Sequence, residues 1–159
     1  MGTAGKKMVS LNLKTLISLL NKALADEWLA FYQYWIGAKM VQGPMSEMVK
    51  KELDEHAEEE FKHANMIVER ILQLDGTPIL NPEEFFKQTN CGYDIPKDYS
   101  CQAILKQNIA GEQCAIATYL KLLKFTQNKD TLTHFMVHEI LKDEVKHEDD
   151  LEKILENMN

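Results

Sequence analysis

The stretch EEEFKHANMIVERILQLDG, residues 58–76, contains both the helical pattern and the polar residues that decide the fold. Its apolar residues recur at helical spacing, and the closing Asp-Gly pair is a typical helix stop. A run of acids usually forms a solvated face. Glu60 and His63, however, lie one turn apart on the side of the helix that carries Ile67, so both can point into a core. The stretch therefore predicts a long helix that directs a carboxylate and an imidazole inward.

The length and composition of the chain favour one all-α domain. Its 159 residues can bury a substantial core, and only four Pro and seven Gly interrupt segments rich in Leu, Ala, Glu, Lys and Met. We predict a single domain over residues 1–159, in which residues 1–10 form a flexible tail. The sequence shows no signal-peptide block and no apolar run of membrane-spanning length, which predicts a cytoplasmic protein without membrane partners.

The charge of the chain disfavours nucleic acid as a partner. The formal net charge is −7, whereas phosphate contacts require clustered Lys and Arg. The N-terminal MGTAGKKM contributes only two lysines, too few for a polybasic arm. An acidic protein of this kind is better suited to binding cations.

Apolar residues at helical spacing predict four long helices of about 28 residues each. The first covers about 12–41. The second follows the break QGPMSE, where Ser46 is a possible N-cap, and stops at DGTP. The third begins after Ser100, a good N-cap, and the short break QNKD separates it from the fourth.

A long crossover joins the second and third helices. It contains several Gly and Pro residues and the segment NPEEFFKQT, which predicts a short helix with Asn81 as its cap and Pro82 in its first turn. Two short loops and one long crossover between four long helices predict an all-α four-helix bundle.

Each long helix carries acidic residues inside its apolar stripe. A Glu lies between Leu24 and Phe31 on the first helix and between Ile109 and Ile116 on the third, and the other two helices carry Glu-x-x-His pairs. The six residues are Glu27, Glu60, His63, Glu112, Glu144 and His147. A buried carboxylate costs several kcal/mol unless it is paired or binds a metal. The alternative is that the stripes are rotated slightly and the acids are solvated.

The chemistry of these six side chains predicts a two-metal site. Carboxylates can bridge two first-row metal ions and each imidazole can bind one of them. A Glu from each of two helices and a Glu-x-x-His pair from each of the other two is the pattern of di-iron helix bundles. We predict two iron ions per subunit, with manganese or zinc as possible substitutes. His56, His134 and His138 have no Glu three residues earlier, and we assign none of them as a ligand.

Two stretches carry a resemblance to a known family. EFKHANMIVERILQLDGTPIL, residues 60–80, and ILKDEVKHEDDLEKIL, residues 140–155, resemble the signatures of helices B and D in bacterioferritins, within the ferritin-like superfamily. The resemblance implies a ferritin-like bundle in which the six residues form an intrasubunit ferroxidase centre. Iron(II) would be oxidised there by hydrogen peroxide or dioxygen, and iron(III) mineral would be stored in a hollow shell, protecting against oxidative stress.

Three departures from bacterioferritins narrow the resemblance. Phe61 stands where bacterioferritins have a haem-ligating Met, which implies that no haem is bound. The chain stops at Asn159 without the short fifth helix of 24-subunit ferritins, and its crossover helix lies where the dodecameric Dps proteins carry theirs. This combination is similar to the Dps-like proteins called thioferritins, which implies a homo-oligomer, most simply a dodecamer, and favours peroxide as the oxidant.

Thioferritins also have a cysteine pair near the iron centre. The resemblance therefore implies a redox pair, and we assign it to Cys91 in the crossover and Cys114, two residues after Glu112. Cys101 is left without a role. The alternative is that the chain carries three unrelated reduced thiols, as is usual in cytosolic proteins.

Tyr34 is a further candidate residue of the predicted centre. Tyr34, one heptad after Glu27, can hydrogen-bond the centre or supply an electron, although it can equally be a core tyrosine.

The rival enzyme is a rubrerythrin-like peroxidase or a manganese catalase, which share the two-metal bundle. The rival of another class is a non-catalytic shell protein that protects DNA, which the net charge of −7 disfavours.

Overall fold

The computed structural model describes residues 2–158, and its helices follow the predicted order. The helices are α1 (Thr3–Lys6), α2 (Leu13–Met40), α3 (Ser46–Gln73), α4 (Glu83–Gln88), α5 (Cys101–Thr126) and α6 (Thr131–Glu156). The predicted all-α four-helix bundle, with a short extra helix in the crossover, is therefore confirmed. None of the described helices is long and apolar enough to cross a membrane.

The first residues contain one turn of helix, α1, and a contact with the turn between α5 and α6. The backbone N–H of Ser10 donates to the carbonyl of Lys129 at 2.9 Å. The flexibility of residues 1–10 stays a prediction, as does the single domain over 1–159. The two ends of that range, Met1 and Asn159, lie outside the described residues.

Side chains cap the first turns of α2 and α5, and the cap of α5 at Ser100 is the one that the sequence predicts. Asn12 accepts a hydrogen bond from the backbone N–H of Thr15 at 3.0 Å, and Ser100 accepts one from Ala103 at 3.4 Å. Such caps satisfy N–H groups that have no partner within the first turn of a helix.

Two other predicted caps are displaced by one residue. Ser46 is the first helical residue of α3, and the position before it is taken by Met45, which makes no side-chain cap. Asn81 does accept a hydrogen bond from the N–H of Glu83 at 3.2 Å, but Pro82 lies before α4 and not within it. Both errors reflect the usual uncertainty of a residue or two where a helix begins.

The stretch 58–76 closes with Asp75 and Gly76, and these two residues terminate α3. Asp75 has a left-handed backbone, with φ of 58°, and the N–H of Gly76 donates to the carbonyl of Ile71 at 2.9 Å. A Cβ added to Gly76 would lie 2.8 Å from Cδ1 of Ile17 on α2. Gly is therefore required here by the close approach of α2, because no other residue lacks a Cβ.

The helices pack around two separate apolar clusters. On α3, Leu53 and Ala57 belong to one cluster, whereas Ala64 and Ile67 belong to the other. The same division occurs on α5 and α6, and in each case it falls at the glutamate of the apolar stripe. The bundle thus leaves a polar layer between two hydrophobic layers.

Buried polar side chains hold the connections in place. On α2, the carboxylate of Asp26 accepts hydrogen bonds from the backbone N–H groups of Asn90 at 2.7 Å and Cys91 at 3.1 Å, and also from the side chains of Thr89 and Asn90. This group of contacts, which we call the Asp26 clamp, fixes the crossover against α2.

The buried Arg70 of α3 holds the turn between α5 and α6. Its guanidinium donates to both oxygens of Asp130, at 2.8 and 2.9 Å. Burial alone would raise the pKa of Asp130, but hydrogen bonds from Thr133 and Arg70 lower it below its usual range.

Candidate metal centre

The polar layer contains the six predicted site residues, and all of them are at most 3% exposed. They come from the four long helices and form two groups whose potential ligand atoms all lie within 4.8 Å of one another. The first group is Glu27, Glu60, His63 and Glu144, and the second is Glu60, Glu112, Glu144 and His147. Because Glu60 and Glu144 belong to both groups, the two groups share a pair of carboxylates.

Each imidazole faces three carboxylates. Nδ1 of His63 lies 3.1 Å from Oε1 of Glu144, 3.2 Å from Oε2 of Glu60 and 3.4 Å from Oε2 of Glu27. Nδ1 of His147 lies 3.2 Å from Oε1 of Glu60, 3.6 Å from Oε2 of Glu144 and 3.9 Å from Glu112. These atoms converge on two points, as the ligands of two neighbouring metal ions do.

The other nitrogen of each imidazole contacts an acid from the opposite helix. Nε2 of His63 lies 3.3 Å from Oδ2 of Asp143, and Nε2 of His147 lies 2.6 Å from Oε2 of Glu59. Such contacts hold a ligating imidazole in one orientation and one tautomer. Neither acid is predicted to have this role above, although each directly precedes a glutamate of the centre, which is a signal in the sequence.

Two tyrosines hold the remaining carboxylates. The hydroxyl of Tyr34 donates to Oε1 of Glu112, and the hydroxyl of Tyr119 donates to Oε1 of Glu27. Both rings are buried. The sequence predicts Tyr34 near the centre but gives no prediction for Tyr119. Its signal was available, because Tyr119 follows Glu112 by the same heptad that separates Tyr34 from Glu27.

The pKa values of the buried carboxyls and imidazoles are those of a crowded acidic site that bound cations would stabilise. Burial, and then the charges of Glu144 and Glu60, raise the pKa values of Glu27 and Glu112 well above their usual range. Burial alone would lower the pKa of His147, but the neighbouring carboxylates of Glu144 and Glu60 raise it to about 11.

Several buried atoms of the centre have no hydrogen-bond partner among the residues that the structure describes. They are Oε2 of Glu27, Oε1 of Glu60, Oε2 of Glu112, Oε1 of Glu144 and Nδ1 of His147. Buried polar atoms are rarely left in this state unless an ion or water binds them. The residues present therefore fit two divalent metal ions, whose charge would offset that of four carboxylates.

A cavity of about 270 Å³ opens from the centre toward the crossover. Its lining includes Cys91 of the crossover and four glutamates of the centre, Glu27, Glu60, Glu112 and Glu144.

The structure joins Cys91 and Cys114 in a disulfide, with their Cα atoms 5.7 Å apart. Cys101 is a free, buried thiol whose Sγ lies 3.3 Å from the carbonyl oxygen of Gln42.

Phe61, at the position of the haem-ligating Met, lies on the outer side of α3 and is 46% exposed. Its ring packs against Trp28 at 5.6 Å and Phe31 at 5.7 Å between centroids. A phenyl ring has no atom that can ligate iron, but the absence of haem stays a prediction.

Comparison with known proteins assigns the chain to a family. The sequence model of the ferritin-like domain matches residues 17–159, and the chain therefore belongs to the ferritin-like family. This confirms the resemblance to bacterioferritins and Dps-like proteins on which the sequence analysis relied.

Three relatives illustrate the position of the chain within the family. The bacterioferritin-related protein of Bacteroides fragilis, described as a dodecameric thioferritin, is 44% identical, with a TM-score of 0.92 over 93% of this chain and 88% of that one. A DNA protection during starvation protein of Pyrococcus furiosus is 29% identical over 91% of this chain and 79% of its own length. A bacterioferritin of Mycolicibacterium paratuberculosis is 30% identical over 90% and 85%, respectively.

Proposed function

We propose that the protein is a ferroxidase that oxidises iron(II) with hydrogen peroxide, or with dioxygen, and stores the iron(III) as mineral inside a shell of identical subunits. The observation that carries the proposal is the pair of buried ligand groups that share Glu60 and Glu144. Membership of the ferritin-like family and the likeness to the Bacteroides fragilis thioferritin support it. The same likeness supports a dodecamer as the assembly.

The two ligand groups suit the electron count of the reaction. Each iron(II) ion gives up one electron, so two ions and two protons convert one hydrogen peroxide molecule into two water molecules. A site that holds two ions side by side can deliver both electrons in one encounter. Consuming peroxide together with iron(II) would also suppress the formation of hydroxyl radicals.

The residues of the chain prepare the site for iron. Asp143 and Glu59 hold the two imidazoles with Nδ1 turned toward the carboxylates. Tyr34 holds Glu112, and we propose that its buried hydroxyl is also close enough to the centre to supply an electron or a proton. Burial and the charges of Glu144 and Glu60 raise the pKa of Glu112, and a cation bound beside it would lower that pKa again, so iron binding would favour release of a proton from this carboxyl.

We further propose that Cys91 and Cys114 are the redox-active pair that the thioferritin likeness implies. Cys91 lines the cavity that leads to the centre, and the disulfide joins it to Cys114. A dithiol reductant would open it by taking the place of one sulfur and then the other, leaving two thiols on the protein and a disulfide on the reductant.

The proposal can be tested by loading the protein anaerobically with iron(II) and then adding hydrogen peroxide or air. We expect ferric absorbance to appear faster than in a protein-free control. The variants Glu60→Ala and Glu144→Ala should reduce the rate to the control rate, whereas Glu58→Ala, an exposed acid two residues before Glu60, should not. If neither oxidant accelerates oxidation, or if Glu60→Ala leaves the rate unchanged, the proposal fails.

The same samples would test the assembly and the rival enzymes. Sedimentation should show a particle of twelve 18.3 kDa subunits, which a 24-mer or a dimer would contradict. If manganese-loaded protein decomposed peroxide rapidly in the absence of iron, the catalase interpretation would replace ours.

A further inference from the structure

A third group of potential ligands lies beside the metal centre but shares no residue with it. Glu52 and His56 are four residues apart on α3, and Asp150 lies on α6. Their ligand atoms all lie within 4.8 Å of one another. The ring of His56 stacks on that of His147 with 4.0 Å between centroids, so the group adjoins the centre.

The environment of His56 is what distinguishes this group from an ordinary cluster of surface acids. The side chain is only 1% exposed, yet neither ring nitrogen has a hydrogen-bond partner among the residues that the structure describes. Its Nε2 lies 3.3 Å from Oε1 of Glu52 without the geometry of a hydrogen bond. A buried imidazole without partners is costly, and a bound cation would satisfy it.

Solvent can reach this group through a cavity of about 250 Å³. The cavity is lined by Glu52, Glu55, His56, Glu58, Glu59 and Lys146. Glu52 and Asp150 retain 24% and 27% of their side-chain exposure, so a cation could enter and keep part of its water shell.

The charges around the cavity also favour a cation. Burial, and then the negative charges of Asp150 and Glu55, raise the pKa of Glu52. The ammonium of Lys146 lies 2.8 Å from Oδ2 of Asp150 and partly neutralises it. Lys146 is itself 62% exposed, so it can turn into solvent when a metal ion takes its place.

We propose that Glu52, His56 and Asp150 form a separate binding site for one divalent first-row transition-metal ion. One imidazole nitrogen and two carboxylate oxygens are ligands that such ions accept, and water can complete the coordination. The 3.3 Å between His56 Nε2 and Glu52 Oε1 is close to the roughly 3.4 Å expected between tetrahedral ligands with bonds of about 2.1 Å. The site requires no ferroxidase activity and is independent of the function proposed above.

The test uses zinc as the probe, because zinc has no redox chemistry to complicate the count. The full-length protein is equilibrated with excess zinc(II), freed of unbound metal, and analysed for zinc per subunit. Crystals of the same sample give anomalous difference peaks at the zinc edge, which locate each ion. We expect three ions per subunit, one of them bound by Glu52, His56 and Asp150.

Matched variants separate this site from the metal centre. His56→Ala and Asp150→Asn should each lose the third ion and keep two, whereas His138→Ala, an exposed His on α6, should keep three. The double variant Glu60→Gln/Glu144→Gln should lose the ions of the metal centre and keep the third. If that double variant binds as many ions as wild type while His56→Ala loses one, the metal centre fails and the third site stands.

Replacing Lys146 should strengthen zinc binding at the third site, whereas the variants above weaken it. Lys146→Gln removes the competing ammonium and should tighten zinc binding at the third site about two- to fivefold, the range that an exposed ion pair commonly contributes. Three results would each overturn the proposal: no zinc peak between α3 and α6 at His56, an undiminished zinc count in both His56→Ala and Asp150→Asn, or weaker binding in Lys146→Gln.

Discussion

The Asp26 clamp should control how readily the disulfide of Cys91 and Cys114 is reduced. The clamp fixes the backbone of the crossover directly at Cys91, through hydrogen bonds to the N–H groups of Asn90 and Cys91. Cys114, by contrast, is held within α5. The clamp therefore keeps one sulfur near the other, and replacing Asp26 by Ala should favour the dithiol form.

The size of the effect follows from the contacts that are lost. Asp26 accepts four hydrogen bonds from residues 89–91, and a hydrogen bond to a charged group contributes about 1.5–3 kcal/mol. The N–H of Cys91 also contacts Oγ1 of Thr89 at 3.1 Å, so it does not lose every partner. If about 1.4–2.8 kcal/mol of the clamp energy depends on the position of Cys91, the disulfide equilibrium shifts by about tenfold to a hundredfold.

The measurement is the equilibrium ratio of disulfide to dithiol at fixed ratios of oxidised to reduced dithiothreitol, with free thiols counted by mass spectrometry after alkylation. Cys101 serves as an internal reference because it is free and buried in the folded protein. Asp54→Ala is the matched control, since Asp54 is a partly exposed acid paired with Lys39 at 2.6 Å. If Asp26→Ala changes the ratio no more than Asp54→Ala does, the clamp does not control the disulfide.

Three further changes should have measurable effects. Tyr119→Phe removes the donor to Glu27 and should weaken iron(II) binding about tenfold, as Tyr34→Phe should; equal binding in calorimetric titrations would contradict this role. Gly76→Ala places a Cβ against Ile17 and should destabilise the fold by about 1–3 kcal/mol in denaturant unfolding, and an unchanged midpoint would refute the clash. The lowered pKa of Asp130 stabilises the fold above the pKa of the unfolded state, and this contribution is lost as the pH falls through the folded-state pKa. Asp130→Asn should therefore flatten the acid limb of a plot of stability against pH, and an unaltered limb would count against the argument.

The sequence could predict the six residues of the centre because each lies on the inward face of its own helix. Inward direction depends only on the 3.6-residue period, which can be read along one helix at a time. The pairing of Glu59 with His147, and of Asp143 with His63, depends instead on how α3 packs against α6. That packing is set by the whole bundle and cannot be read from either helix alone.

His56 is another residue whose role depends on how the helices pack. It was left unassigned because no Glu precedes it by three residues, the spacing on which the two-metal pattern depends. In the structure its neighbours are Glu52, one turn earlier on α3, and Asp150 on α6. A ligand group divided between two helices gives no signal on either one until their relative rotation is known.

The three consecutive acids that open the stretch EEEFKH have three different environments because each residue of a helix is turned by about 100° from the one before it. Glu58 is exposed, Glu59 is partly exposed and accepts a hydrogen bond from His147, and Glu60 is buried between two imidazoles. All three are glutamates, so only the rotation of α3 separates a solvated charge, a support for an imidazole and a carboxylate shared by the two ligand groups. The two apolar clusters on either side fix that rotation, since a turn of one residue would bury Glu59 in place of Glu60 and move Ile67 to the partly buried position of Val68. The hydrophobic layers thus position the polar layer between them, and they contact it directly where Tyr34 and Tyr119, one from each cluster, donate to Glu112 and Glu27.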